Sequence, residues 1–153
     1  MINVIRNSND NYTIIKNDFE LGNIEFPFIF FRTARINLSK EKSNILIKSK
    51  GFLFLEYVLI IDKIEKFNIS RNFFSFTYVI TDLTNFRKYR FEKFNLLGSK
   101  HVLLTEDNYN LLTLKTHIGY FKRNYEFKIN DEEIDDFLLF ICLFFKIKID
   151  NDE

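Results

Sequence analysis

Residues 137–145 read FLLFICLFF, nine consecutive apolar side chains. Wound into a helix, such a run is apolar on every side and has to be surrounded by lipid or by protein. Nine residues rise about 14 Å, against a hydrocarbon layer of about 30 Å, so the run does not span a bilayer. Extending it through Lys146-Ile147-Lys148-Ile149 adds charges and still falls short of the roughly 20 apolar residues that a span needs. The preceding acidic stretch, DEEIDD, favours the helical reading. Asn130 and Glu133 have the spacing of a capping box, and Asp131, Glu132 and Glu133 complement the positive end of a helix dipole. The sequence therefore predicts a protein-enclosed helix over about 131–146. A short apolar run is also compatible with a buried strand, which periodicity alone does not distinguish.

What encloses the helix is legible upstream as a repeated phrase: an alternating or apolar run, a polar turn with an acidic residue, and a second run. The first unit, YTIIKNDFELGNIEF, is expected to turn near Asn17-Asp18 and again around Gly22-Asn23. The second runs from Phe28 to Leu38, turns at Ser39-Lys40-Glu41 and returns through Ile45-Leu46-Ile47. The third, FLFLEYVLIIDKIEKFNI, turns at Asp62, and the fifth, HVLLTEDNYNLLTLKT, at Glu106-Asp107-Asn108. In the fourth, Phe74, Phe76, Tyr78 and Ile80 alternate with Ser75, Thr77 and Thr81 before a turn at 82–85, the period-two signature of a strand with one wet face. NYEFKIN repeats it with Tyr125, Phe127 and Ile129.

The turn centres Asp18, Glu41, Asp62, Asp82, Asp107 and Asp131 recur every two strands, given strands of about five to eight residues. Asp and Asn favour turns because they bond their own backbone, so these acids read as structural rather than as metal ligands. The expected fold is mainly β: a single domain over 1–153, strand-rich over 12–130, in which roughly twelve antiparallel strands form a barrel of serial hairpins around the C-terminal helix. Barrels of about eight strands fill themselves with side chains, whereas wider ones have room for a helix.

Four Gly and one Pro leave no room for a flexible linker. The polar N-terminal stretch MINVIRNSND lacks the apolar core of a secretory signal, and the lone Cys142 forms no internal disulfide; both point to a cytoplasmic site. Net charge is +1, too small a basic footprint for a duplex-binding protein, so nucleic acid is not an expected partner.

YVLIIDKIEKFNI, FTYVITDLTNFRKYRF, VLLTEDNYNLLTLKT and NYEFKINDEEIDDFLLFICLFFKIKID together resemble the tubby-like C-terminal barrel, shared by tubby proteins, LURP-one-related proteins and phospholipid scramblases. The resemblance covers about residues 12–149 and is one of pattern, without a catalytic or binding string. It implies a closed barrel around a hydrophobic helix and a role in binding phosphoinositides or acting at membranes. Tubby's basic lipid-binding residues do not map onto particular positions here. DEEIDD is placed like the calcium-associated segment of scramblases, but it lacks the alternating oxygen ligands and turn glycine of a calcium loop.

No chemistry of catalysis stands out. His101 and His117 have no Cys/His cluster around them, which argues against zinc, and each is expected at the surface or partly buried. Gly22, Gly51, Gly98 and Gly119 are isolated, so no phosphate loop is formed, and no nucleophile-elbow phrase accompanies a serine. Cys142 reads as a small core residue. The expectation is a protein that is not an enzyme, without cofactor or metal. The candidate binding segment is FRKYRFEKF, in which Arg87, Lys88, Arg90 and Lys93 interleave with aromatic rings including Tyr89; cationic heads beside rings suit anionic lipid headgroups. Lys40, Lys42, Lys48 and Lys50 form a second basic cluster. The plainer account of both is a solvated face that also protects strand edges. The functional expectation is thus a barrel binding an anionic, phosphoinositide-like membrane surface or a protein partner. Its rival is a protein-interaction module, such as an immunity or regulatory factor of a low-GC bacterium. A barrel holding a small apolar ligand is disfavoured because the helix would fill the cavity.

Overall fold

The computed structural model describes all residues except Asn9, 28–32, Phe52, Phe54, Phe76, 96–98, 120–122 and Glu153, together with the side chain of Asp152. The expectations placed on Phe28, Phe52, Phe54, Phe76 and Gly98 lie outside the described residues. Twelve antiparallel strands follow one another round a closed barrel: β1 (Ile2–Ser8), β2 (Asn11–Lys16), β3 (Phe19–Glu25), β4 (Thr33–Leu38), β5 (Ile45–Lys50), β6 (Glu56–Ile61), β7 (Ile64–Arg71), β8 (Tyr78–Asp82), β9 (Lys88–Lys93), β10 (Lys100–Thr105), β11 (Asn110–Ile118) and β12 (Arg123–Ile129). Closure is made by β1 against β12, with Ile2 opposite Phe127. One helix, α1 (Asp136–Asp152), follows.

The period-two pattern decides which side chains face inward. Tyr12 and Ile14, Ala34 and Ile36, Ile45 and Ile47, Tyr57 and Leu59, Phe67 and Ile69, and Leu112 and Leu114 are buried as successive pairs. They pack on α1, whose residues Leu138–Phe145 are all buried, and Ile147 with them. Phe144 stacks on Phe26 at 5.7 Å between ring centres, and Phe145 lies 4.1 Å from Tyr78. The all-apolar run 137–145 is thus enclosed by a sheet that surrounds it, as expected. The outer wall carries Arg35, Lys48, Glu56, Lys88, Arg90, Lys115, Glu126 and Lys128. A charged wall around an apolar interior inverts the arrangement of a membrane-spanning barrel. No described helix is long and apolar enough to cross a membrane.

Several expectations are corrected. The helix starts at Asp136, not near 131, and runs to Asp152 rather than stopping near 146. Its cap is Asp135, whose Oδ1 accepts from the Phe137 N–H at 2.8 Å, while Asp131 accepts from the Glu133 N–H in a separate turn. The strands begin at Ile2, ten residues before the anticipated start of the strand-rich region. Phe74 is in a turn and exposed, so β8 is short and its inward pair is Tyr78 and Ile80. Gly22 is not a turn: β3 runs straight through it, with a register shift between Ile14 and Ile15 opposite. Its φ is 153°, and a Cβ there would sit 2.2 Å from the Asn37 carbonyl oxygen, so the close approach of β4 requires glycine. Asn17-Asp18 and Asp62-Lys63 do turn as expected, each pair with positive φ, the backbone of a tight hairpin whose twist matches its strands.

Candidate functional site

Serial hairpins in a closed barrel sort the connections between its two rims. Residues 17–18, 39–44, 62–63, 83–87, 106–109 and the 130–135 approach to α1 share one rim. All the anticipated turn acids gather there, and Asp82 closes β8 beside them. The other rim receives connections 9–10, 26–32, 51–55, 72–77, 94–99 and 119–122. In sequence the last five read FPFIFFR, GFLFL, NFFSFT, FNLLGS and GYFK, and they hold eleven of the chain's 20 Phe. Among the described residues of this rim, Leu53, Phe73, Phe74, Phe94 and Ile118 are 61–92% exposed. Phe73 and Phe74 lie edge to face with ring centres 5.7 Å apart, and apolar side chains exposed together at one rim are the kind of feature that marks a contact surface. Met1, Phe19, Ile64, Phe86 and Tyr109 are exposed on the acidic rim, where Phe19, Ile64 and Phe86 each have a charged neighbour in the sequence.

Cations stand at the feet of the apolar connections: Arg71 ends β7, Lys93 and Lys100 flank the 94–99 hairpin, and Arg123 opens β12. Lys93 and Lys100 are exposed, and the hairpin between them is closed by a bond from the Phe94 N–H to the Lys100 carbonyl at 3.0 Å. Arg71 lies over the Tyr78 ring, and Arg123 donates to the Asp150 carbonyl at the end of α1. The acids of this rim are fewer, with Asp10 and Glu56 exposed.

The segment singled out for binding is divided by the barrel. Arg87 and Lys88 are on the acidic rim, at a cleft of about 580 Å³ that Tyr89 also lines. Tyr89 points inward and packs against the core, and its loss of water raises its pKa. Arg90 is on the outer wall, donating to Asn108 Oδ1. Lys93 belongs to the apolar rim, a strand's length of about 17 Å from Lys88. Lys88 and Arg90 share a face; the five residues do not form one patch. In the second basic cluster, Lys50 pairs with Glu65 at 2.9 Å.

Sequence reasoning missed a polar cluster inside the barrel. Lys146 is 2% exposed and pairs with Asp150 at 2.5 Å, and Asp150 accepts from the Thr116 hydroxyl at 2.7 Å. Burial and the Asp150 carboxylate both raise the pKa of Tyr125 beside them. His101, expected at the surface or partly buried, is 4% exposed and stacks on Phe91. Desolvation, then the Lys146 charge, lowers its pKa to about 4, so its ring is neutral. The readable signals were the i,i+4 spacing of Lys146 and Asp150 and the inward parity of His101 and Thr116. His117 is on the outer wall, 2.6 Å from Glu126. Cys142 is fully buried, and burial raises its thiol well above the usual range. Among the described residues, no group of His, Cys, Asp and Glu has the arrangement of a metal site.

No protein-family model, curated protein or solved structure matches this chain.

Proposed function

We propose that the chain is a non-enzymatic barrel that attaches by its apolar rim to an anionic membrane surface. The exposed Leu53, Phe73, Phe74, Phe94 and Ile118, with Lys93 and Lys100 at the foot of one of these connections, carry the reading. Burying two such side chains in the acyl boundary contributes about 3–6 kcal/mol, and each cation at headgroup level adds about 1 kcal/mol near anionic lipid. The cytoplasmic leaflet is the anionic one, which fits the cytoplasmic site anticipated for the chain. Kinship with tubby-like barrels belongs to the same proposal, supported by twelve strands closed around one C-terminal helix. The closed sheet offers no strand edge to an extended peptide, and α1 fills the interior against a small ligand.

Vesicle flotation tests this reading. Binding to vesicles containing phosphatidylserine is expected, lost on combining Phe73→Ser with Phe74→Ser and weakened by Lys93→Glu with Lys100→Glu. Arg87→Glu with Lys88→Glu, at the opposite rim, is expected to leave it unchanged. Failure of the wild-type protein to float at low salt would remove the proposal and favour a protein partner on the same rim.

A further inference from the structure

Of the described large apolar side chains, Phe74 is the most exposed, at 92%, and Phe73 beside it is 66% exposed. Both lie in the 72–77 connection between β7 and β8. Their rings meet edge to face at 90°, so the two form one broad apolar unit rather than two separate side chains.

The backbone beneath the rings is bonded within the connection itself. Asn72 Oδ1 accepts from the Phe74 N–H at 3.0 Å and from the Ser75 N–H at 3.4 Å, and the Asn72 N–H donates to the Thr77 carbonyl at 2.8 Å. The Thr77 hydroxyl donates to the Ser75 carbonyl at 3.4 Å. Backbone groups that enter hydrocarbon have to find their partners inside the protein, because no water is there to supply them. Three N–H groups of this connection carry their acceptors with them.

A cation stands at its foot. Arg71, the last residue of β7, lies over the Tyr78 ring at 5.9 Å from the centre. Its N–H donates to the Leu55 carbonyl at 2.7 Å, which ties this foot to the neighbouring 51–55 connection, where Leu53 is 73% exposed. An apolar tip above a cationic base matches hydrocarbon lying beneath a layer of anionic headgroups.

We infer that the 72–77 connection is a preformed wedge that enters the acyl boundary of an anionic bilayer ahead of the rest of the rim, a role that rests on the membrane attachment proposed above. Arg71 is left among the lipid phosphates. Phe94, whose N–H is bonded to the Lys100 carbonyl at the foot of its own hairpin, stays at headgroup level. The broad, fixed cross-section of the paired rings suits loosely packed, unsaturated chains rather than ordered saturated ones.

The chain contains no Trp, so Phe74→Trp, Phe94→Trp and Ile64→Trp each place a single fluorophore, at the tip, at the foot of another hairpin and at the opposite rim. With vesicles of dioleoyl phosphatidylserine and dioleoyl phosphatidylcholine, Phe74→Trp emission should shift to the blue and be quenched by lipid brominated along its chains. Phe94→Trp should be quenched less, and Ile64→Trp should not respond. Gel-phase vesicles of the dipalmitoyl lipids, with the same headgroups, should give no shift. Asn72→Ala takes the acceptor from two N–H groups while leaving both rings and Arg71; it should weaken vesicle binding about tenfold, with little change of thermal midpoint in buffer. Arg71→Gln should weaken binding about fivefold. Flotation of the wild-type protein without a blue shift in Phe74→Trp would overturn the wedge and leave membrane attachment standing, as would full binding by Asn72→Ala. Equal quenching of Phe94→Trp would overturn the order of entry, and an equal shift in gel-phase vesicles would overturn the preference for loose chains. No flotation at all would remove attachment and wedge together.

Discussion

Replacing Lys146 with Met tests how the end of α1 is held. The ammonium is 2% exposed and 2.5 Å from Asp150, which is itself buried and bonded to Thr116. Met keeps the length and the apolar stem of the side chain, so little packing is lost. What remains is a carboxylate inside the barrel that keeps the Thr116 and Tyr125 hydroxyls but has lost its paired ammonium. Removing one partner of a buried pair costs about 3–5 kcal/mol. A domain of this size loses about 2–4 °C per kcal/mol, so the midpoint should fall by about 6–20 °C. Replacing both partners, Lys146→Met with Asp150→Leu, should recover most of that loss, because an apolar pair of similar volume avoids both desolvation costs. Urea denaturation at pH 7 with a shared m-value separates these cases. A single variant that loses less than about 1 kcal/mol, or a double variant no better than the single one, would refute the account of a desolvated pair.

Two further outcomes follow from the interior. His101 is neutral in the fold with a pKa of about 4, below its ordinary 6.5, so the unfolded chain takes up the proton first; stability is full above about pH 6.5 and declines as pH falls toward 4, by at most about 3 kcal/mol. His101→Leu should flatten that part of a pH series of urea midpoints, and an unchanged slope would assign the acid sensitivity to other groups. Gly22→Ala should destabilise by more than about 2 kcal/mol, since a methyl group 2.2 Å from the Asn37 carbonyl forces β3 and β4 apart; a midpoint within error of wild type would contradict the close approach.

Much of the architecture was legible because two periodicities are strong here. Tyr125 and Phe127 alternate with charged or polar neighbours, and FLLFICLFF has no wet side, so a sheet wrapped round a helix was the consistent solution. β1 was missed because INVIRNS places Arg6, Asn7 and Ser8 at its solvated end, leaving only Ile2 and Val4 to signal a strand. The helix start was misplaced because DEEIDD offers several caps, and only packing of Ile134 against the core decides that Asp131 closes a turn while Asp135 caps the helix. The candidate site was the least readable part. FRKYRFEKF is contiguous in sequence, but a strand that crosses from rim to rim carries its ends apart. Leu53, Phe73, Phe74, Phe94 and Ile118, from four different hairpins, share the apolar rim, and that placement is a property of the closed sheet rather than of any one segment.

Closure also sets an order of assembly. Ile2 pairs with Phe127, and the central rod comes only after β12. While a ribosome is still making the last strands, the inward rows of Ile, Phe and Tyr have nothing to close upon, and the open sheet has two bare edges. Ring closure between segments so far apart along the chain is entropically slow, and the waiting intermediate is prone to stick to its own kind. Efficient production of this protein should therefore depend on low temperature or on a chaperone that shelters the half-built cylinder.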